Sequence, residues 1–359
     1  MTAALAQSAE CWTEVELARS EMLRALVEEL NVSGIPYCLL SGCCDFPQAG
    51  ASDVDFMVCA RDAERVPGIM RTSAQRSQAM LVQAIQHETG ACYFVLAKPV
   101  AGGVAYLHPD CTTDYRRDGR LWLRAEELLS RRRRYGSFFV PAVGDEFGYY
   151  LIKKVLKQAV SDDAWLRLRT LFIQCQTECC EQMRRFWSAK TAGVIASAVV
   201  RDDLEWMQSN LPGLLVKLED SAPIEEWGAR RVQALREWRR WIERAVHPTG
   251  LTVAITGGSA ARRVEFATML EENLRPAFRR TGLVEARSTA FGVREWLAKV
   301  RSTLVITTKD RRAARIGSRG QIRVDLADIT PPNVEMVTQD VLEFMAQRLQ
   351  RRMRSKVFN

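Results

Sequence analysis

Apolar positions recur at helical spacing from Trp12 to Leu30, with Val15, Met22, Leu26 and Leu30 on one stripe, and Gly34-Ile35-Pro36 closes this helix. The pattern then shortens to the period of strands. Leu39-Leu40 runs into the Ser41-Gly42 turn, and Val54, Phe56 and Val58 alternate with Asp53, Asp55 and Met57. Arg61 to Met70 reads as a short helix, followed by strands at Met80 to Ile85 and Cys92 to Leu96. Another strand follows Gly102-Gly103 and ends at Asp110, and this first unit is expected to close near Pro141.

From Gly144 the period becomes helical, with Phe147, Leu151, Val155 and Leu156 opposite Lys153, Lys154 and Lys157. Further helices are expected through Trp187, Trp206 and Trp241, ending at His247-Pro248-Thr249-Gly250. Trp227, Trp238 and Trp241 are read as helix-packing core rather than a base-stacking platform. A third unit opens with the apolar strand Leu251 to Ile255, a Gly257-Gly258 turn and a helix. Leu304 to Thr307 is expected to be a second parallel strand and Val334 to Arg352 a closing helix. The expectation is an α/β chain: an α+β unit over residues 1–143, a helical region over 144–247 and a small α/β unit over 248–359.

Candidate chemistry sits on the second strand. Side chains two apart on a strand share a face, so Asp53 and Asp55 emerge together while Val54, Phe56 and Val58 anchor the strand. Aligned carboxylates of this kind hold divalent metal in phosphoryl and nucleotidyl transfer, and magnesium, which prefers oxygen ligands, needs only two or three. A lone Asp-x-Asp is more often a solvated strand end. The Gly turn before it, Ser52 at the strand start and a third acid downstream raise the chemical reading. Asp110 ranks first as that third acid, ahead of Asp114 and Asp118 in a polar turn; Pro109 counts against a central strand, because proline cannot donate to a ladder.

The stretch from Ser41-Gly42 through Asp55, together with Asp114 to Arg120 and Glu146 to Val155, resembles the nucleotidyltransferase superfamily of polymerase-beta-like fold. More narrowly it is similar to a bacterial subgroup associated with surface-polysaccharide gene clusters, in which such a domain is fused to a thymidylate-kinase-like C-terminal region. The resemblance implies that Asp53, Asp55 and Asp110 bind magnesium or manganese, and that Ser41, Gly42, Cys43 and Ser52 line a site for ATP or another nucleoside triphosphate. It implies transfer to a hydroxyl or phosphate acceptor, a sugar, sugar phosphate or glycan, and that one of Lys153, Lys154 and Lys157, otherwise a solvated face, reaches the triphosphate. One departure stands in the turn: Cys43 replaces the serine usual after the glycine, and a thiol is a weak donor.

The third unit resembles the kinase half of that family with its chemistry removed. A working phosphate-binding loop reads Gly-x-x-x-x-Gly-Lys-Ser/Thr, whereas Arg263 takes the lysine place and Val264 the hydroxyl place. The expectation is a degenerate kinase-like domain.

Composition narrows the rest. The chain of 359 residues is 47% hydrophobic and 26% charged, enough for two or three real cores and not a disordered composition. It contains no apolar run of transmembrane length, and Met1 to Glu10 lacks the features of a signal peptide, so a cytoplasmic location is expected. Ten cysteines include the adjacent pairs Cys43-Cys44 and Cys179-Cys180, which do not suit a disulfide framework. With only three scattered histidines, no zinc site is expected. The net charge of +8 favours anionic partners: nucleotides, nucleic acid or acidic membrane surfaces. Much of it lies in Arg131 to Arg134 and near the C-terminus, without the aromatic interleaving of single-strand binders. Besides the transferase, two other readings remain open: a catalytically silent nucleotide-binding or assembly module, and an RNA-directed transferase.

Overall fold

The computed structural model of the chain describes residues 12–41, 46, 51–88, 90–117, 119–221, 227–246, 248–284, 300, 303–308, 321–326 and 333–355. The fold is mixed α/β. Helix α1 (Glu14–Ser33) begins at Thr13, whose hydroxyl accepts the Glu16 amide while the Glu16 carboxylate returns to the Thr13 amide, a capping box. It ends at Gly34, where φ of 69° requires the left-handed region that glycine enters freely.

A five-stranded sheet follows in the order β1-β2-β5-β4-β3, comprising β1 (Tyr37–Leu39), β2 (Asp53–Val58), β3 (Met80–Glu88), β4 (Ala91–Val100) and β5 (Gly103–Thr112). Strand β2 is antiparallel to β1 and parallel to β5. The short helix expected from Arg61 is divided into a 3-10 turn over Ala60–Arg65 and α2 (Val66–Arg76). Pro109, which argued against a central strand, stands inside β5. The β4–β5 ladder breaks between the Tyr93/Asp110 and Leu96/Leu107 pairs and resumes in the same register, so the missing donor falls in the interrupted stretch.

The alternation along each strand sends side chains to two different cores. On one face Leu39, Val54, Phe56, Val58, Phe94, Leu96 and Leu107 pack against α1 and α2. The opposite face is shared. At its β1–β2 end, Cys38, Leu40, Met57 and Cys59 join α3 (Ala125–Ser130), α4 (Val143–Lys157), α5 (Asp162–Gln174), α6 (Gln176–Phe186), α7 (Ala189–Arg201) and α8 (Leu204–Ser221) in one core. At its β3–β5 end, Val82, Val95, Ala97 and Tyr106 pack on the C-terminal unit. That unit has a parallel sheet in the order β11-β12-β10-β13, formed by β10 (Leu251–Thr256), β11 (Arg280–Val284), β12 (Thr303–Thr308) and β13 (Gln321–Asp325). It is covered by α10 (Ala260–Leu274) and the C-terminal helix Val334–Ser355. Strand β10 is buried along its whole length, as a parallel strand covered on both faces should be.

Two small hairpins, β6 (Tyr115–Arg117) with β7 (Arg120–Leu123) and β8 (Arg133–Tyr135) with β9 (Phe138–Val140), link the sheet to α4. The tryptophans divide against expectation. Trp165 and Trp187 are core residues, with the Trp187 indole donating to the Leu214 carbonyl, but Trp238 and Trp241 of α9 (Trp227–Val246) are 65% and 50% exposed. Their helix turns that side away from the rest of the chain. The side chain of Trp227 lies outside the described residues.

Candidate active site

The exposed part of the shared sheet face, between the helical region and the C-terminal unit, carries the acidic residues. Because β2 and β5 run parallel in register, Asp53 stands opposite His108 and Asp55 opposite Asp110. Neighbouring strands are about 4.8 Å apart, so two carboxylates on one face at paired positions repel each other. This, after burial, is why the Asp110 carboxyl is pushed up to about 7, with Lys153 pulling the other way.

Each of the other two acids has a cationic or ring partner. Asp55 Oδ2 accepts from Lys153 Nζ at 2.6 Å, and the same ammonium donates to the Tyr149 hydroxyl at 3.1 Å. Both residues come from α4, where i and i+4 share a face. Tyr149 is packed edge-on against Tyr115 at 5.5 Å, and burial drives its phenol well above the usual range. Asp53 Oδ1 lies 3.4 Å from His108 Nδ1, and that contact, ahead of the opposing effect of burial, lowers the Asp53 carboxyl. His108 is itself stacked between Tyr93 and Tyr106, and its Nε2 lies 2.9 Å from the Pro276 carbonyl of the C-terminal unit. Tyr106 reaches the same unit, its hydroxyl donating to the Asn273 carbonyl at 2.7 Å. The sheet face is therefore held by α4 on one side and by the end of α10 and the turn after it on the other.

Ser41 and Ser52 bracket this site. The amides of Leu40 and Ser41 donate to the Asp55 carbonyl at 2.8 and 3.3 Å, which places the start of the turn beside Asp55. Ser52 accepts the His108 amide at its carbonyl. Gly42 and Cys43 lie outside the described residues, as does Asp118. Asp114 stands apart from the acidic face: its carboxylate accepts from Arg116 and from the Ala125 amide at the start of α3.

The donor set of Asp55 and Asp110 is hard oxygen, the type magnesium and manganese prefer, and the repulsion that raises Asp110 is what a divalent cation would relieve. Those two residues fit one such ion. A three-acid cluster is not assembled: among the described residues no group of three or more His, Cys, Asp or Glu is arranged to hold a metal, and Asp53 is turned to His108. A cavity of about 720 Å³ between α7 and α8, lined by Lys190, Trp206 and Lys217 among others, contains none of these acids.

The turn before α10 is closed by its own side chains. Gly257 and Gly258 have positive φ, Ser259 Oγ accepts the Arg262 amide, and the Arg263 guanidinium donates to the carbonyls of both glycines. The arginine at the lysine place is thus engaged with loop backbone.

His108 and Tyr149 were not among the sequence candidates, and Lys153 was only one of three lysines. His108 carried a signal, since it lies two residues before Asp110 and so shares its face. Lys153 carried none, because its approach to Asp55 spans 98 positions of sequence.

The sequence matches no protein-family model, and no curated protein is similar to it.

Proposed function

We propose that the chain is a metal-dependent nucleotidyltransferase that moves a nucleotidyl group from ATP or another nucleoside triphosphate to a hydroxyl or phosphate acceptor. The observation that supports this reading is the register: Asp55 directly opposite Asp110 on parallel strands, with Asp53 two residues before Asp55 on the same face. In this reading Asp55 and Asp110 would hold magnesium or manganese, which would supply charge neutralisation at the triphosphate and a lowered pKa at the acceptor oxygen. The acceptor oxygen attacks the α-phosphorus, the bond to the β-phosphate oxygen breaks and pyrophosphate leaves. Asp110, which faces the same acceptor position, would take the acceptor proton. Lys153 turns from Asp55 to the departing phosphates, and Ser41 and Ser52, with Gly42 and Cys43, bound the nucleotide. The resemblance to polysaccharide-associated enzymes makes a sugar, sugar phosphate or glycan the first class of acceptor to test, in the cytoplasm.

The test is a screen of labelled nucleoside triphosphates with magnesium or manganese against such acceptors, read as pyrophosphate release. Asp55→Asn and Asp110→Asn should each abolish release without altering the circular dichroism spectrum. Full release from either folded variant refutes the assignment.

A second reading, a catalytically silent nucleotide-binding or assembly module, is favoured by the Lys153–Asp55 ion pair, which already puts a cation on a carboxylate the metal requires. Magnesium-dependent ATP binding with no pyrophosphate would select it. RNA-directed transfer is weakened by the use of the arginine run within the fold. Arg131 pairs with Asp145, Arg133 with Glu146 and the Pro141 carbonyl, and Arg132 with the Leu129 carbonyl.

A further inference from the structure

Helix α9 is amphipathic in the inverted sense. Its arginine side faces the protein: Arg240 donates to the Gln86 carbonyl of β3 and pairs with Glu237, and the pKa of Arg244 is lowered by burial and by Arg240, Arg279 and Arg352 nearby. Its apolar side faces outward. Val232, Leu235, Trp238, Trp241, Ile242 and Val246 are 43% to 65% exposed, and among the described residues no α9 side chain enters any of the three hydrophobic cores. The spacing of Val232, Leu235, Trp238, Ile242 and Val246 is helical, so five of these six form one continuous stripe. Arg231 and Arg239, both exposed, fall on the same side.

We propose that this face docks on the surface of a bilayer containing anionic lipid. Two features of the helix select that occupant. It carries six arginines against two glutamates, a net charge of +4 in a chain of net +8, and the exposed arginines stand within the apolar stripe, where lipid phosphates would meet them. Two tryptophans on the outward surface suit the boundary between acyl chains and headgroups, where an indole buries its ring and keeps its N–H near water. A second copy is the poorer occupant: antiparallel pairing about the middle of the stripe Val232 to Val246 sets Arg239 beside its symmetry mate and brings +4 against +4. Spanning is not the mode, since no helix among the described residues is long and apolar enough to cross a membrane. The helix would lie in the interface with its stripe immersed and its inward arginines still holding β3.

The full chain is tested by co-sedimentation with vesicles of phosphatidylcholine alone and of phosphatidylcholine with a third phosphatidylglycerol. Binding is expected only to the anionic vesicles, with a blue shift of tryptophan emission that is reduced in Trp238→Phe/Trp241→Phe. Leu235→Asn with Ile242→Asn, which leaves the charge unchanged, should weaken binding by about tenfold or more, the loss of two side chains from the apolar phase. Arg231→Gln with Arg239→Gln should weaken it about fivefold per charge. Ile173→Asn, on an exposed site of α5 that is 70% accessible, should leave binding unchanged. All the substituted side chains are exposed, and unchanged circular dichroism establishes folding. Absence of binding, equal binding to neutral vesicles, or binding untouched by Leu235→Asn/Ile242→Asn overturns the proposal. So does a dimer by light scattering that the same pair abolishes, which assigns the face to a second copy.

Discussion

Replacing Asp110 with asparagine should remove a pH dependence of stability that the site geometry creates. In the native chain burial and the opposing Asp55 hold the Asp110 carboxyl at about 7, against an ordinary value of 3.8. A raised carboxyl favours the native state while protonated. The associated stability is full below about 3.8 and is lost as pH rises through about 7. The difference of about 3 units, at 1.36 kcal/mol each, sets an upper bound of about 4 kcal/mol, reduced by the partial solvent access of this face. Asp53 acts in the opposite direction, since His108 lowers its carboxyl and its contribution is lost as pH falls, but it is present in both proteins and cancels in the comparison. Urea unfolding of the native chain and Asp110→Asn in metal-free buffer from pH 4 to 8.5 measures the effect. The gap between them should widen in favour of the variant by up to ~1.4 kcal/mol per pH unit and level off above neutrality. Two curves that stay parallel across the range would show that Asp110 is not held by Asp55 and burial.

Two other perturbations probe the surroundings of the site. Lys153→Met should tighten manganese binding by about fivefold, roughly 1 kcal/mol for removing a competing half-buried ammonium, measured by titration calorimetry; unchanged or weaker affinity would mean that Lys153 does not compete for Asp55. Gly144→Ala should destabilise the chain by about 1–3 kcal/mol in urea, because a Cβ there meets Glu178 Cβ at 2.6 Å and its backbone carbonyl oxygen at 2.8 Å, forcing α4 from α6; a neutral result would show that the two helices separate without penalty.

Much of the secondary structure was legible along the chain. The Gly34 stop, the Asp53–Val58 alternation and the β10 strand with its glycine turn are all local signals, set by the period of apolar residues and by backbone conformations that glycine alone enters easily. Pro109 misled, because the cost of proline in a strand depends on whether the neighbouring ladder requires its donor, and here β4 is not paired with β5 at that point. Trp238 and Trp241 misled for a related reason: helical spacing identifies an apolar face but not whether anything covers it.

The amino-acid sequence by itself determined that Asp53 and Asp55 share a face, and that His108 and Asp110 share another strand face, since both follow from the two-residue period of a strand. Only the tertiary structure decided that these are one face, through the parallel register of β2 and β5 that sets Asp55 against Asp110 and Asp53 against His108. It also decided which partners meet them, the Lys153 ammonium from α4 and the ring of His108 braced by the Pro276 carbonyl. Strand pairing and helix docking join residues far apart along the chain, and the electrostatics of a buried carboxylate depends on what that docking brings within a few ångströms.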